Sequence, residues 1–411
     1  MGGENASKAA YKLVLDNNGG LYVGIRTNNT VGTDYGGNPV PPVCFGENNC
    51  LPHLTGDMQE YQEGYKNMFL LKYDTDNGNL IWRKDYQGDI NYYNGRGFIT
   101  DLQIDSNNIL HTIIGLQDGV HLNGTLTVTL DEDEEQKLYL VKFNNTTGNL
   151  IGTPLLLPLE LSTLGSIMDK TLFRYDESLN RYYLTGWKFS ENVTASFNGV
   201  TFGETTPSID SFAYLLSFNP NDLQDWWYKE FTGYYGEIRG IAIDSNSDIY
   251  IGGRASINNN YPLFFGEYPF NTTLTGNLPF ILKMNSQGEV QWHKTPTGYL
   301  NQESQTGSAY RCYDIAINGN EVALAEQANS TIWDNFSINR PSGHDNDPTL
   351  IRFNKQTGEV IGLHDIHGSA GRHYLTAVTA DQDGNYVVGG AMRYSLFTDN
   401  PNVDIQIKIT V

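Results

Sequence analysis

The sequence predicts an all-β fold, a β-propeller of six four-stranded blades. Three observations predict it. A two-part sequence pattern is written six times at a period of roughly 65–75 residues, the spacing of propeller and other repeat arrays. Each part is a pair of short apolar strands joined by a turn rich in Asp, Asn and Gly. No segment carries the sustained 3.6-residue apolar period of a long helix.

The repeats run 9–86, 97–158, 167–231, 237–296, 309–366 and 373–411. The first carries Leu13-Val14-Leu15-Asp16, Leu21-Tyr22-Val23-Gly24, Phe69-Leu70-Leu71-Lys72 and Gly78-Asn79-Leu80-Ile81-Trp82. The second carries Leu102-Gln103-Ile104-Asp105, Ile109-Leu110-His111-Thr112, Leu138–Phe143 and Gly148-Asn149-Leu150-Ile151. The third has Phe173-Arg174-Tyr175-Asp176, Tyr182–Gly186, Ala213–Phe218 and Trp226–Lys229. The fourth is the clearest, with Ile241-Ala242-Ile243-Asp244, Ile249–Gly253 and the run Phe280–Lys294. The fifth has Ile315–Asn318, Val322–Leu324, Thr349–Phe353 and Gly358–Ile361. The sixth has Val378–Asp381, Tyr386–Gly390 and Ile405–Val411, and stops before a fourth strand. A propeller closes by pairing one terminus into the other's blade, which removes an exposed edge. Residues 2–9 do not resemble a fourth strand. The expectation is therefore a chain trimmed at one or both ends, with seven blades as the alternative; a three-stranded last blade is the other reading.

The strings Ile-Ala-Ile-Asp-x-x-x-x-Ile-Tyr-Ile-Gly-Gly (241–253) and Phe-Ile-Leu-Lys-x-Asn-x-x-Gly-x-x-x-Trp-x-Lys (280–294) resemble the SBBP-type β-propeller repeats of bacterial secreted proteins. They are most similar to those of Bacteroidetes exported by the type IX secretion system. The resemblance covers nearly the whole chain. It implies a propeller and an extracellular, cell-surface or periplasmic location. It implies no catalytic motif, because that family shares none.

Composition narrows the function further. Charged residues are 18 % and hydrophobic residues 39 %, as in a globular chain. A net charge of −21 argues against nucleic acid and anionic membrane as partners. No apolar run reaches membrane-spanning length, and no leader is visible at Met1. Cys44 and Cys50 flank a five-residue loop and are a candidate disulfide for an oxidising compartment; two free thiols are the alternative. Cys312 reads as a small core residue.

Blade topology puts the tight turns on one face and the long connections on the other. The connections are Arg26 to Lys66, Gln117 to Lys137, Ser190 to Ser211, Ala255 to Leu278, Ala328 to Pro348 and Arg393 to Asp404. Binding is expected on this elaborated face. Its aromatic candidates are Tyr92, Tyr93, Tyr234, Tyr235, Tyr261, Phe265 and Trp333; packing of the loops is the competing role. Arg96, Arg239, Arg311 and Arg372 stand near the starts of first strands, where they would form a cationic mouth for a carboxylate or sulfate. Pairing with local acids is the competing role.

Asp74–Gly78 and Asp381–Asn385 look like halves of calcium loops, but such residues also make turns unaided. His364, His367 and His373 have only their spacing to support a zinc site, so no metal is assigned. No cofactor is expected. No serine elbow, phosphate loop or dinucleotide fingerprint is present. The expected function is a non-catalytic protein-interaction or adhesion module, with an outer-membrane secretion or surface protein as partner. The alternative is a glycan-binding or carbohydrate-active propeller.

Overall fold

A computed structural model describes residues 8–16, 18–28, 44–46, 49–50, 66–86, 98–131, 134, 136–161, 172–188, 195–202, 212–233, 235–258, 262–272, 274–299, 311–327, 331–337, 348–366 and 374–391. Among them the fold is all-β; the only helical element is the single 3-10 turn Leu122–Gly124. Among the described residues no helix is long and apolar enough to cross a membrane.

The predicted repeats appear as antiparallel meanders in which sequence neighbours pair, called sheets below; a single parallel pairing, Phe212 with Gly236, joins the third and fourth into one sheet. The first sheet runs Lys8–Leu15, Gly20–Asn28, Lys66–Asp74, Leu80–Tyr86. In the second, the broken inner strand Phe98–Ile99 and Gln103–Ile104 pairs with Ile109–Leu116, followed by Lys137–Asn144 and Leu155–Leu156. The third contains Phe173–Asp176, Arg181–Lys188, Phe212–Asn219 and Asp222–Thr232. The fourth contains Gly236–Ile243, Ile249–Ile257, Gly276–Met284 and Val290–Lys294. The fifth contains Arg311–Asn318, Glu321–Gln327, Pro348–Asn354 and Val360–Asp365. Of the sixth repeat, Tyr374–Ala380 pairs with Tyr386–Ala391, and the strand predicted at 405–411 lies outside the described residues.

One expectation needs correction. The outer strand of the second repeat was predicted at Gly148–Ile151. There Leu150 makes only an isolated bridge to Phe143, and the outer pairing is made five residues later by Leu155–Leu156. Gly148 and Gly152, at φ 64° and 71°, turn the chain away from the sheet edge.

The chain forms two compact units. One comprises Met1–Leu184, Asn192–Phe202 and Phe218–Asp225; the other comprises Thr185–Glu191, Gly203–Ser217 and Trp226–Val411. The first and second sheets belong to the former, the fourth, fifth and sixth to the latter, and the third repeat contributes strands to both.

Sheet stacking makes the core. Between the fourth and fifth sheets lie Tyr250, Ile281, Cys312, Ile315, Leu324 and Ile351, all buried. Gly252 lets these sheets approach: a Cβ there would stand 2.5 Å from Ile315 and 3.0 Å from the Cys312 sulfur. Cys312 is thus the core residue the sequence suggests, and burial pushes its thiol well above the ordinary value.

Two devices recur between neighbouring repeats. The first is a tryptophan on a glycine. Trp82 lies on Gly148, Trp227 on Gly288 and Trp292 on Gly358; each glycine has positive φ and closes the outer turn of the following repeat. Trp82 Nε1 donates to Asn145 O at 3.1 Å and Trp227 Nε1 to Ser286 O at 3.2 Å, so the indole also satisfies a turn carbonyl.

The second device is a hook. Three of the connections expected to be irregular contain a two-residue β-hairpin: Ala195–Phe197 with Val200–Phe202, Phe264–Phe265 with Tyr268–Pro269, and Thr331–Trp333 with Phe336–Ser337. Each pairs with chain that ends the repeat before it, at Leu159–Leu161, Phe231–Thr232 and Gly298–Tyr299 respectively. Asn198 and Gly199, both at positive φ, give the first hook the backbone sign a tight hairpin needs.

Candidate binding site

The connection end of the fourth sheet carries the best-defined polar cluster among the predicted site residues. Glu237 stands directly opposite Arg254 across the inner strand pair. Two residues on, the register slips between Ile238 and Gly240, which leaves Arg239 as the unpaired residue of a β-bulge. The bulge turns the Arg239 side chain back onto its own strand, where its guanidinium meets the Glu237 carboxylate. Arg254 Nη2 reaches the other carboxylate oxygen at 3.4 Å.

Tyr235 completes the cluster. Its hydroxyl donates to Glu237 Oε2 at 2.9 Å and accepts from Arg254 Nη2 at 2.5 Å. The Arg254 guanidinium also lies over the Tyr235 ring, 4.6 Å from its centroid. Burial, and then the Glu237 charge, push the Tyr235 hydroxyl up to about 12, so it stays protonated and acts as a donor at neutral pH. Glu237 is 1 % exposed, whereas Arg239 and Arg254 keep 23 % and 15 % of their side-chain surface. The result is a buried carboxylate that fixes two partly exposed guanidinium groups.

The other predicted residues divide. Phe265 and Trp333 are not surface contacts but core residues, and that expectation is corrected. Phe265 is 1 % exposed and packs on Phe231 at 4.9 Å. Trp333 is fully buried, packs edge-on against Phe353 at 5.5 Å and donates from its indole to Glu326 at 3.3 Å. Both sit at the tip of a hook, and a hook buries its aromatic residue to hold the preceding repeat. Arg239 takes the role of pairing with a local acid rather than standing open for an anion. Arg311 begins the inner strand of the fifth sheet, opposite Gln327. Tyr92, Tyr93, Arg96, Tyr234, Tyr261 and Arg372 lie outside the described residues, as do His367 and His373.

Cys44 and Cys50 form a disulfide. It encloses Phe45, which packs on Phe69 at 4.9 Å beneath the Arg83 guanidinium. Phe45 thus plugs the first sheet at the place that hook aromatics fill elsewhere, and Phe45-Gly46-Glu47 repeats the hook sequence Phe265-Gly266-Glu267. Sequence reasoning missed this likeness, although the matching triplets were there to be read.

The turns that resemble calcium loops are closed on themselves. Asp381 accepts from the backbone N–H of Asp383 and Asn385 at 3.0 and 2.7 Å, and Asp74 accepts from Asp76 at 2.8 Å. These are Asx turns, in which the carboxylate substitutes for a backbone acceptor. No group of three or more metal-ligating side chains converges among the described residues.

Sequence reasoning also missed a second inner-strand ion cluster. Asp101 accepts from Arg174 Nη1 at 2.5 Å and lies 3.9 Å from Lys12, so one carboxylate ties the inner strands of three successive repeats. Burial acts to raise its pKa, but the two cations and the Leu102 N–H more than offset this and hold it below the ordinary value.

No family model and no curated protein matches the chain. Among solved structures, an acylaminoacyl peptidase of Pyrococcus horikoshii aligns at 10 % identity and TM-score 0.37, covering 95 % of this chain and 51 % of that one. A quinohemoprotein alcohol dehydrogenase of Comamonas testosteroni aligns at 11 % identity and TM-score 0.32, covering 87 % and 59 %. The PQQ domain of a pyranose dehydrogenase from Coprinopsis cinerea aligns at 10 % and 0.30, covering 94 % and 93 %. The chain spans about half the length of the peptidase.

Proposed function

We propose that the six repeats close into a β-propeller, with seven blades as the alternative, and that the protein is a secreted or cell-surface binding module. The four-stranded meanders and the face-to-face stacking of the fourth and fifth sheets support the closure. The Cys44–Cys50 disulfide supports an oxidising compartment, because cytosolic thiols are kept reduced. The repeat resemblance adds the type IX export route and an outer-membrane secretion or surface protein as partner.

One observation carries the binding role. At the connection end, Glu237 and Tyr235 hold Arg239 and Arg254 rigidly while leaving both guanidinium groups partly exposed. Pre-organised arginines beside an aromatic ring are what recognition of a protein surface uses, because little side-chain freedom is lost on contact. The carboxylate between two arginines and the protonated tyrosine are poorly placed for proton transfer, which favours binding over catalysis.

The test is surface plasmon resonance of the purified protein against outer-membrane vesicles from a type IX-secreting bacterium. Saturable binding is expected, weakened about tenfold or more by Arg239→Ala or Arg254→Ala, since hot-spot truncations cost at least about 2 kcal/mol. Absence of binding, or equal binding by both variants, would remove the proposal.

A further inference from the structure

The station between the repeats is shared by the first and fourth sheets and replaced in the fifth, where a cavity stands. In the first sheet the station consists of Asp16, Tyr22, Lys72 and Trp82, which together grip the Asn145 turn. In the fourth sheet the equivalent residues are Asp244, Tyr250, Lys283 and Trp292, around the Lys355 turn. Strand register fixes the equivalents in the fifth sheet. Lys72 pairs with Trp82 and Tyr22, and Lys283 with Trp292 and Tyr250. Arg352, in the same way, pairs with Gly362 and Ala323. Asn318 stands where Asp16 and Asp244 stand, at the end of the first strand. All four positions have changed, and two large rings have become Ala323 and Gly362.

A cavity of about 630 Å3 lies at this rebuilt station, within the roughly 300–1,000 Å3 of a small-molecule site. Its walls are mixed: the amides of Asn318, Asn320 and Asn385, the Glu321 carboxylate, the Arg352 guanidinium and the His364 imidazole, with Leu350 and the Tyr386 ring beside them. Arg352 Nη1 reaches both oxygens of Glu321 at 3.2 and 3.0 Å, which balances its charge. Its Nε donates to His364 Nε2 at 3.0 Å, so the imidazole is neutral and carries its proton on Nδ1.

We propose that this cavity binds a short neutral oligosaccharide. Paired hydroxyls both donate and accept at adjacent carbons, which matches side-chain amides and a guanidinium that present donors and acceptors in forks. An anionic ligand would meet Glu321 and a chain of net charge −21; an apolar one would leave the amides unsatisfied. The site lies at the turn end of the fifth sheet, apart from the arginine cluster at the connection end of the fourth.

Isothermal titration calorimetry with maltotriose, cellotriose and mannotriose, and with trigalacturonate as the charged control, tests the proposal on the full chain. At least one neutral trisaccharide should bind and trigalacturonate should not. Arg352→Met and Asn385→Leu should each weaken that binding tenfold or more. The double variant Gly362→Trp/Arg352→Lys, which restores the residues of the first and fourth stations, should abolish it without lowering the melting temperature. Arg352→Lys alone provides a milder variant should the methionine variant fold poorly. No heat with any neutral trisaccharide, preference for trigalacturonate, or unchanged binding by the folded variants would each overturn it.

Discussion

The Trp82 indole lies so close to Gly148 that a Cβ on that glycine would stand 2.7 Å from the ring. Gly148 also has φ 64°, where an L-residue is strained. Gly148→Ala should therefore destabilise the protein by about 2 kcal/mol or more, from strain and overpacking together. Trp82→Leu in the same chain should recover the overpacking part but not the strain. Urea denaturation of the single and double variants checks this, and strictly additive effects would contradict the contact.

Lys72 holds a buried carboxylate. Its ammonium lies 3.2 Å from Asp16 Oδ2 and donates to Asn145 O at 2.9 Å, with the Asp16 side chain fully buried. Lys72→Met leaves that carboxylate without its cation and should cost about 3 kcal/mol or more at neutral pH. The measurement is again denaturant unfolding.

The acid limb should move with it. Burial alone would raise the Asp16 pKa, but the Gly20 and Asn18 N–H groups and Lys72 hold it below the ordinary 3.8. A lowered carboxylate contributes stability that is present above about 3.9 and is lost as pH falls through its folded value. Without Lys72 the folded value rises, so the loss should begin at higher pH. Melting temperatures between pH 3 and 6 for the two proteins would show whether it does.

His111 should give a second pH limb. Its ring is 1 % exposed, with Nε2 3.2 Å from Asp105 and Nδ1 2.7 Å from the Tyr182 hydroxyl. Those contacts fit a neutral ring that donates from Nε2 and accepts at Nδ1. Burial holds its pKa below 6.5 despite Asp105. The stability it contributes is complete above about 6.5 and declines as pH falls towards the folded value. His111→Gln should flatten the melting curve between pH 7.5 and 5; an unchanged pH dependence would show that His111 does not set it.

The disulfide should matter to the first sheet. It closes a loop of six-residue separation around Phe45, for which chain entropy gives about 2 kcal/mol. Cys44→Ser/Cys50→Ser should lose that amount and expose the Phe45 plug, raising amide hydrogen exchange in Lys66–Asp74 before other strands. Cys312, buried with a raised thiol, should stay unlabelled by iodoacetamide until the chain unfolds.

Strand positions were legible in the sequence because period-two alternation and Asx turns are local signals. Asp16, Asp105, Asp176 and Asp244 each end a first strand by accepting backbone N–H groups, as turn residues should. What was not legible depends on register between repeats. Trp292 and Gly358 lie in different repeats, and nothing local says that they meet. Phe265 and Trp333 were misjudged for the same reason: in a long connection an aromatic residue looks exposed until the strand it hooks is known. The arginine cluster was half visible, since Arg239 was singled out but its partner Arg254 belongs to the neighbouring strand.

The hooks give the molecule a direction in time. Each hairpin, at 195–202, 264–269 and 331–337, pairs with a segment that precedes it in the chain, at 159–161, 231–232 and 298–299. As a polypeptide leaves a ribosome or a translocation pore amino end first, every docking segment has emerged before the hairpin that seeks it. A nascent repeat therefore never waits for its anchor, and assembly can advance like a zipper, one unit behind the exit.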